Sequence, residues 1–155
     1  MFEVGDTVCY PLHGIGTIQS IEKTEVLGRI ETCYLIHLHN TRMTAMLPVE
    51  TAESLGLRKT ITPKECEKLF EYFKTAEPCI GNSNWNQRYR ENMDKLKTGD
   101  PKGIVDVILC LGKRNTMRPL SSGEGKMLSN AKSILFTEIA TVLNIGIDEV
   151  ETRFK

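Results

Sequence analysis

Trp85 is the only tryptophan in the chain. Its neighbours Asn84, Asn86, Gln87, Arg88 and Arg90 are hydrogen bonders and guanidinium groups. A large flat ring in that company has the chemistry of a nucleic-acid contact. The indole can stack on a base or wedge beside it, while Arg88 and Arg90 hold phosphates. A helix beginning at this point adds free backbone amides for the same anions. Stacking on one base is worth ~1–3 kcal/mol, too little to melt many base pairs but enough to favour a junction that is already opening. The competing reading is a tryptophan that staples a helix start to the core.

The charge distribution bears on that choice. Twenty Lys and Arg balance twenty Asp and Glu, so the chain of 155 residues is formally neutral. Neutrality excludes a histone-like coat of positive charge, but not a basic face, because fields act over a Debye length of ~8–10 Å in cell salt. Split by segment, residues 1–59 carry −2, 60–84 carry −1, 85–132 carry +5 and 133–155 carry −2. The basic block begins at Trp85. Within it, Lys113, Arg114, Lys126 and Lys132 join Asn84, Trp85, Arg88 and Arg90 as candidate DNA-binding residues.

Other chemistries find less support. His37 and His39 project to one face of a strand, but no third zinc ligand is evident, and His13 lies in a turn. The five cysteines include no C-x-x-C pair and read as reduced, mostly buried thiols. A hydrolase built on Cys79 or a histidine would need a pocket that the sequence does not announce. No Walker loop, G-x-S-x-G or dinucleotide loop occurs. The expectation is a non-enzyme with no cofactor and no metal. No run of 18 apolar residues exists, and Met1 to Asp6 lack a signal-peptide layout, so a cytoplasmic protein is expected.

Two grammars position these residues. Up to about residue 60 the pattern is that of strands: Thr7–Tyr10, Thr17–Glu25 with an irregularity near Ser20-Ile21, Ile30–Leu38, and Arg42–Leu47 ended by Pro48. Gly14-Ile15-Gly16 reads as a turn. Four or five short strands suit a strongly bent barrel of the SH3/Tudor type. Beyond residue 60 the period is helical. Thr62-Pro63-Lys64-Glu65 is a capping box, Asn84 caps a second helix stopped by Gly99, and Asp100-Pro101 opens a third closed by Gly112. Ser121-x-x-Glu124 is another capping box opening a long helix, and Asp148-x-x-Glu151 starts a last short one. The expected fold class is α+β: a Tudor-like β domain over 1–59, then a compact bundle of about five α-helices over 60–155.

With these elements in order, the sequence resembles the CarD/CdnL family of bacterial transcription regulators over almost its whole length. The N-terminal part of the resemblance is Val4-Gly5-Asp6-x-Val8-x-Tyr10-Pro11-x-His13-Gly14-x-Gly16, with Ile21-Glu22 and Gly56-Leu57-Arg58. The C-terminal part is Asn84-Trp85-x-x-Arg88-Tyr89, Lys95-Leu96-x-x-Gly99-Asp100, and Leu120-Ser121-x-Gly123-Glu124-x-x-Met127-Leu128. Their order and spacing are specific. The resemblance implies a Tudor-like domain that binds the β subunit of RNA polymerase, similar to the matching module of transcription-repair coupling factor. It also implies a helical domain that contacts promoter DNA at the upstream edge of the bubble, where a tryptophan matching Trp85 wedges into the minor groove. Arg90 and Lys126 match basic positions of the family. Gln87, Gly125 and Met46 replace residues that are often basic there, which implies a weaker DNA grip and a more apolar polymerase contact.

Exposed edges of such a barrel allow a partner to extend the sheet. Ile36, Leu38, Thr44, Met46 and Leu47 lie on the strands expected to meet polymerase, although Ile and Leu there are equally barrel core. No recognition helix carries several base-reading side chains, so DNA contact is expected to be largely sequence-independent. The chain is expected to be monomeric, with a strand-exchanged dimer open to it. The alternative function is a protein-interaction adaptor without DNA binding.

Overall fold

A computed structural model describes residues 2–77 and 80–154. Five strands come first: β1 (Thr7–Tyr10), β2 (Gly14–Val26), β3 (Arg29–Leu38), β4 (Thr44–Pro48) and, after the single-turn helix α1 (Val49–Ala52), β5 (Arg58–Lys59). They form one antiparallel sheet in the order β4-β3-β2-β1-β5. The β2–β3 register slips between Ile18 and Ser20, the irregularity that the pattern predicts. An extra residue on one strand increases local twist and helps the sheet curl. Val8, Ile18, Tyr34, Ile36, Leu38 and Leu47 point into that curl, and Ala52 and Leu57 complete its core. The segment Gly14-Ile15-Gly16 is the start of β2 rather than a turn; the reversal is made by residues 11–13.

This burial corrects part of the expected polymerase surface. Ile36, Leu38 and Leu47 are core residues, because the period-two alternation that selects them also turns them inward. Thr44 and Met46 alternate with Leu47 and remain exposed on β4, which is an edge of the sheet.

Five helices follow: α2 (Pro63–Thr75), α3 (Trp85–Thr98), α4 (Pro101–Met117), α5 (Ser122–Leu143) and α6 (Ile147–Arg153). The capping box of Thr62 and Glu65 is present in both directions, with Pro63 at the first helical position. Gly99 ends α3 at φ 75°, in the left-handed region. Two boundaries differ from the pattern. Helix α4 runs through Gly112 to Met117: an interior glycine costs ~1 kcal/mol, and the buried Ile108, Cys110 and Leu111 hold the helix against its neighbours. Helix α6 starts at Ile147 with Gly146 as an N-cap that has no side-chain cap, so Asp148 lies inside its first turn.

The β unit and the helices meet at a built joint. Glu138 of α5 has no exposed surface. Its carboxylate accepts from Arg58 Nη1 at 2.7 Å and Nη2 at 2.9 Å, and from the Ile61 amide at 2.9 Å. Arg58 Nε donates to the Gly99 carbonyl at 2.8 Å. A Cβ on Gly56 would lie 2.6 Å from Pro11 Cγ, and one on Gly99 would lie 2.9 Å from it, so both glycines leave room for that ring. Cys9 of β1 packs with the helical core. Its thiol pKa is pushed up to about 12 by burial, with the neighbouring Glu138 charge adding to the shift.

Breaking a buried Arg–carboxylate pair leaves one charge uncompensated and costs ~3–5 kcal/mol. Glu138→Ala is expected to lose that amount in urea unfolding. Cys9, inert to iodoacetamide at pH 8 in the wild type for want of thiolate, is expected to become alkylated in the variant, as read by peptide mass mapping.

Candidate nucleic-acid interface

Three helix ends converge around Trp85. The Asn84 side chain caps α3, accepting from the Gln87 amide at 3.0 Å, so its oxygen is committed locally. This places Trp85 at the first position of α3. Its indole N–H donates to Ser121 Oγ at 3.0 Å. That same oxygen accepts from the Glu124 amide at 3.2 Å as the N-cap of α5. Tyr89, one turn along α3, stacks on the indole with ring centroids 5.0 Å apart and planes at 20°. Gly123 lies beside both rings: a methyl there would sit 3.4 Å from Trp85 Cζ2 and 3.6 Å from Tyr89 Cε2. Held on these sides, the indole is still 41% exposed. It is both an anchored ring and a presented one.

The clamp behind it is a buried ion pair. Arg88 Nε and Nη2 each donate to one oxygen of Glu124 at 2.8 Å. Arg88 Nη1 donates to the carbonyls of Asn82 at 2.8 Å and Ser83 at 3.4 Å. Both charged residues are buried. The hydrogen bonds from Arg88 hold the Glu124 carboxyl below its ordinary pKa, and they raise that of Arg88. Arg114 Nη1 donates to the Ile80 carbonyl at 2.7 Å, tying the segment before α3 to α4.

This geometry corrects the role of Arg88. It does not face phosphates, because its guanidinium is turned inward onto a carboxylate and two carbonyls; it is a positioning residue for Trp85. The pair also explains why the Ser121-x-x-Glu124 box is only half made. Glu124 gives its oxygens to Arg88 instead of returning to the cap.

The remaining candidates are distributed unevenly. Arg90 is exposed on α3, in a shallow groove with Trp85, Tyr89 and Lys97. Lys126 is exposed three residues beyond Gly123, about 60° round the helix and so on the Trp85 side. Lys132, nine residues beyond Gly123, is about 180° round and points elsewhere. Lys113 is exposed on α4, and Arg114 is half-buried. A groove of about 550 Å³ beside Trp85 includes Met117 and Arg118, neither of which the sequence singled out as a site residue. Ser121 and Glu124 were legible as a helix cap and as motif positions of the resemblance, but not as site residues.

No group of three or more His, Cys, Asp or Glu among the described residues is placed to hold a metal ion. His39 Nε2 is 2.8 Å from Thr17 Oγ1. Cys79 lies outside the described residues. No described helix is long and apolar enough to cross a membrane.

Comparison with known proteins places both units. Residues 2–61 match the sequence model of the CarD-like/TRCF RID domain, and residues 68–155 match that of the CarD C-terminal domain. YdeB of Bacillus subtilis (strain 168), by its name a candidate transcription factor, is 30% identical over 152 residues, covering 98% of this chain and 99% of its own.

Two outcomes test the clamp. Arg88→Ala, which strands the buried Glu124, is expected to cost ~3–5 kcal/mol in urea unfolding and to red-shift the fluorescence of the single tryptophan. The folded pKa of Glu124 lies below its ordinary value of 4.5. Its stabilisation is therefore complete above that value and disappears as pH falls through the folded pKa. The gap in thermal midpoint between wild type and Glu124→Gln should be wide at pH 7 and shrink in acid below the ordinary value. A gap independent of pH would contradict the pairing.

Proposed function

The chain belongs to the CarD family of transcription regulators, and we propose that it binds RNA polymerase through the β unit and stabilises the open promoter complex with the Trp85 ring. The observation that carries this reading is the mounting of Trp85. Ser121, Tyr89 and the Arg88–Glu124 clamp hold a half-exposed indole at the start of a basic block. A ring already ordered loses little entropy when it meets DNA. Placed at the upstream edge of the bubble, it opposes collapse by stacking against or wedging beside the last pair. Arg90 and Lys126 supply phosphate contacts on the same side.

The β unit is the tether. Its match to the RID model supports a polymerase partner, and the β subunit is the surface proposed. The exposed edge strand β4 offers backbone groups for sheet extension, and Thr44 and Met46 stand on it, with Met46 50% exposed. Tethering raises the local concentration of the helical unit at one DNA position, so a neutral protein with a modest DNA grip suffices.

Loss of one stacked ring at ~1–3 kcal/mol corresponds to about fivefold to hundredfold in lifetime. Trp85→Ala is expected to shorten the open-complex lifetime within that range while polymerase pull-down is unchanged. An unchanged lifetime overturns the wedge. Absence of any fork-DNA binding at low salt, even with polymerase present, favours the adaptor reading.

A further inference from the structure

The hairpin of β2 and β3 reaches past the rest of the sheet. Strand β4 pairs with β3 only from Cys33 to His37. Residues 29–32 of β3 therefore have β2 on one side and, among the described residues, no strand on the other. The turn is Leu27-Gly28, with φ of 51° and 80°, both in the left-handed region. A two-residue turn of this kind is closed by a hydrogen-bonded pair, here Val26 and Arg29, and the direction of the backbone groups alternates from there along the strand. Arg29 and Glu31 aim theirs at β2, and Ile30 and Thr32 aim theirs outward. The Leu38 amide, at the same parity as Ile30, does donate away from β2, to the Met43 carbonyl at 2.8 Å. Two residues of this tip are costly in the isolated chain. Leu27 holds a conformation that suits glycine or asparagine, and it is 99% exposed. Ile30 is 77% exposed on the strand face that further along carries the buried Tyr34 and Ile36. Beside the open edge is a groove of about 310 Å³ whose walls include Ile30, Thr32, Pro48 and Val49.

We propose that this edge pairs with the same edge of a second copy of the chain, antiparallel and centred on Ile30. In that register the two Ile30 residues exchange both of their outward backbone hydrogen bonds. Arg29 of each copy stands opposite Glu31 of the other, as a cross-strand pair of opposite charge. Neither side chain makes an ion pair within its own chain among the described residues. Moving the centre by one residue, to Glu31, would set two carboxylates directly opposite each other, which is destabilising. The register also gives Leu27 a place. It falls opposite Cys33 of the other copy, whose own neighbour on β4 is Pro48, at the groove that Pro48 and Val49 line. An exposed knob and a groove to receive it are thus both present on one chain, and a two-fold axis brings them together, as an isologous contact requires. A strand from another protein would find the same backbone groups, but only a second copy is certain to present the complementary order Glu31-Ile30-Arg29. Four residues make a small interface, so the pair is weak and concentration-dependent. It closes an edge that is otherwise open to any extended chain.

The test is sedimentation of the full chain at low salt over a concentration series reaching ~1 mM, the weak end of specific association. The wild type is expected to pass reversibly from monomer to dimer. Arg29→Glu and Glu31→Arg each turn two opposite-charge pairs into two like-charge pairs, and each is expected to weaken self-association about tenfold. An equimolar mixture of the two variants restores opposite charges across the axis and is expected to dimerise about as well as the wild type. Leu27→Asn removes the knob and suits the turn, so it is expected to weaken the dimer without lowering the urea midpoint of the fold. A chain that stays monomeric throughout the series overturns the proposal. So does a dimer indifferent to both charge reversals, or a pair of variants that fail to associate when mixed. A dimer that persists on dilution and separates only after unfolding also overturns it, in favour of strand exchange.

Discussion

A carboxylate with no access to water organises this protein. Glu138 sits near the end of α5 in the interior, where an unpaired charge would cost several kcal/mol. Its charge is met by the planar fork of Arg58 from β5 and by the Ile61 amide in the connecting segment. A fork–carboxylate pair has only a narrow range of good geometries. The orientation of β5 on α5 is thus set by hydrogen bonding, not by apolar contact alone. Pro11 between Gly56 and Gly99 adds shape to the same joint, and Cys9 carries the β unit into the helical core.

Helix α5 uses the same device twice. Glu124, in its first turn, holds Arg88 of α3, and Glu138, fourteen residues later, holds Arg58. Those positions are about 21 Å apart along an α-helix. One rod therefore connects the β unit to the mounting of Trp85. In each case the arginine arrives from a different element and is neutralised inside the protein. The Arg88–Glu124 pair contributes nothing to the net charge of the basic block, so the excess of +5 over residues 85–132 belongs to the remaining side chains. The apparent neutrality of the chain conceals a concentration of positive charge in one segment.

Much of the architecture was legible in the residues. Thr62 with Glu65, Asn84, and Gly99 with Asp100-Pro101 all mark helix ends, and each does so in the structure. Pro48 ends β4, and the alternation of Tyr34, Ile36 and Leu38 gives the buried face of β3. Gly112 misled, because a local helix breaker was outweighed by buried neighbours on the same helix. At the candidate site, Trp85 was visible from composition, and Arg90 and Lys126 from charge. Ser121, Glu124, Met117 and Arg118 were not, since each is ordinary in its local context. Pro11, Gly56 and Arg58, which served only to mark a resemblance, turn out to build the joint together with the helix-ending Gly99.

By itself, then, the sequence determined the order and ends of the elements, the break between two grammars near residue 60, and the concentration of positive charge after Trp85. These depend on interactions within a turn or between adjacent residues, which composition and spacing express directly. Only the tertiary structure decided what the arginines do. Arg88 meets a carboxylate 36 residues away and Arg58 one 80 residues away. A guanidinium beside a tryptophan reads the same whether it faces a phosphate in solvent or a glutamate inside the protein. The difference lies in which helices pack together, and that is settled by the burial of many side chains at once.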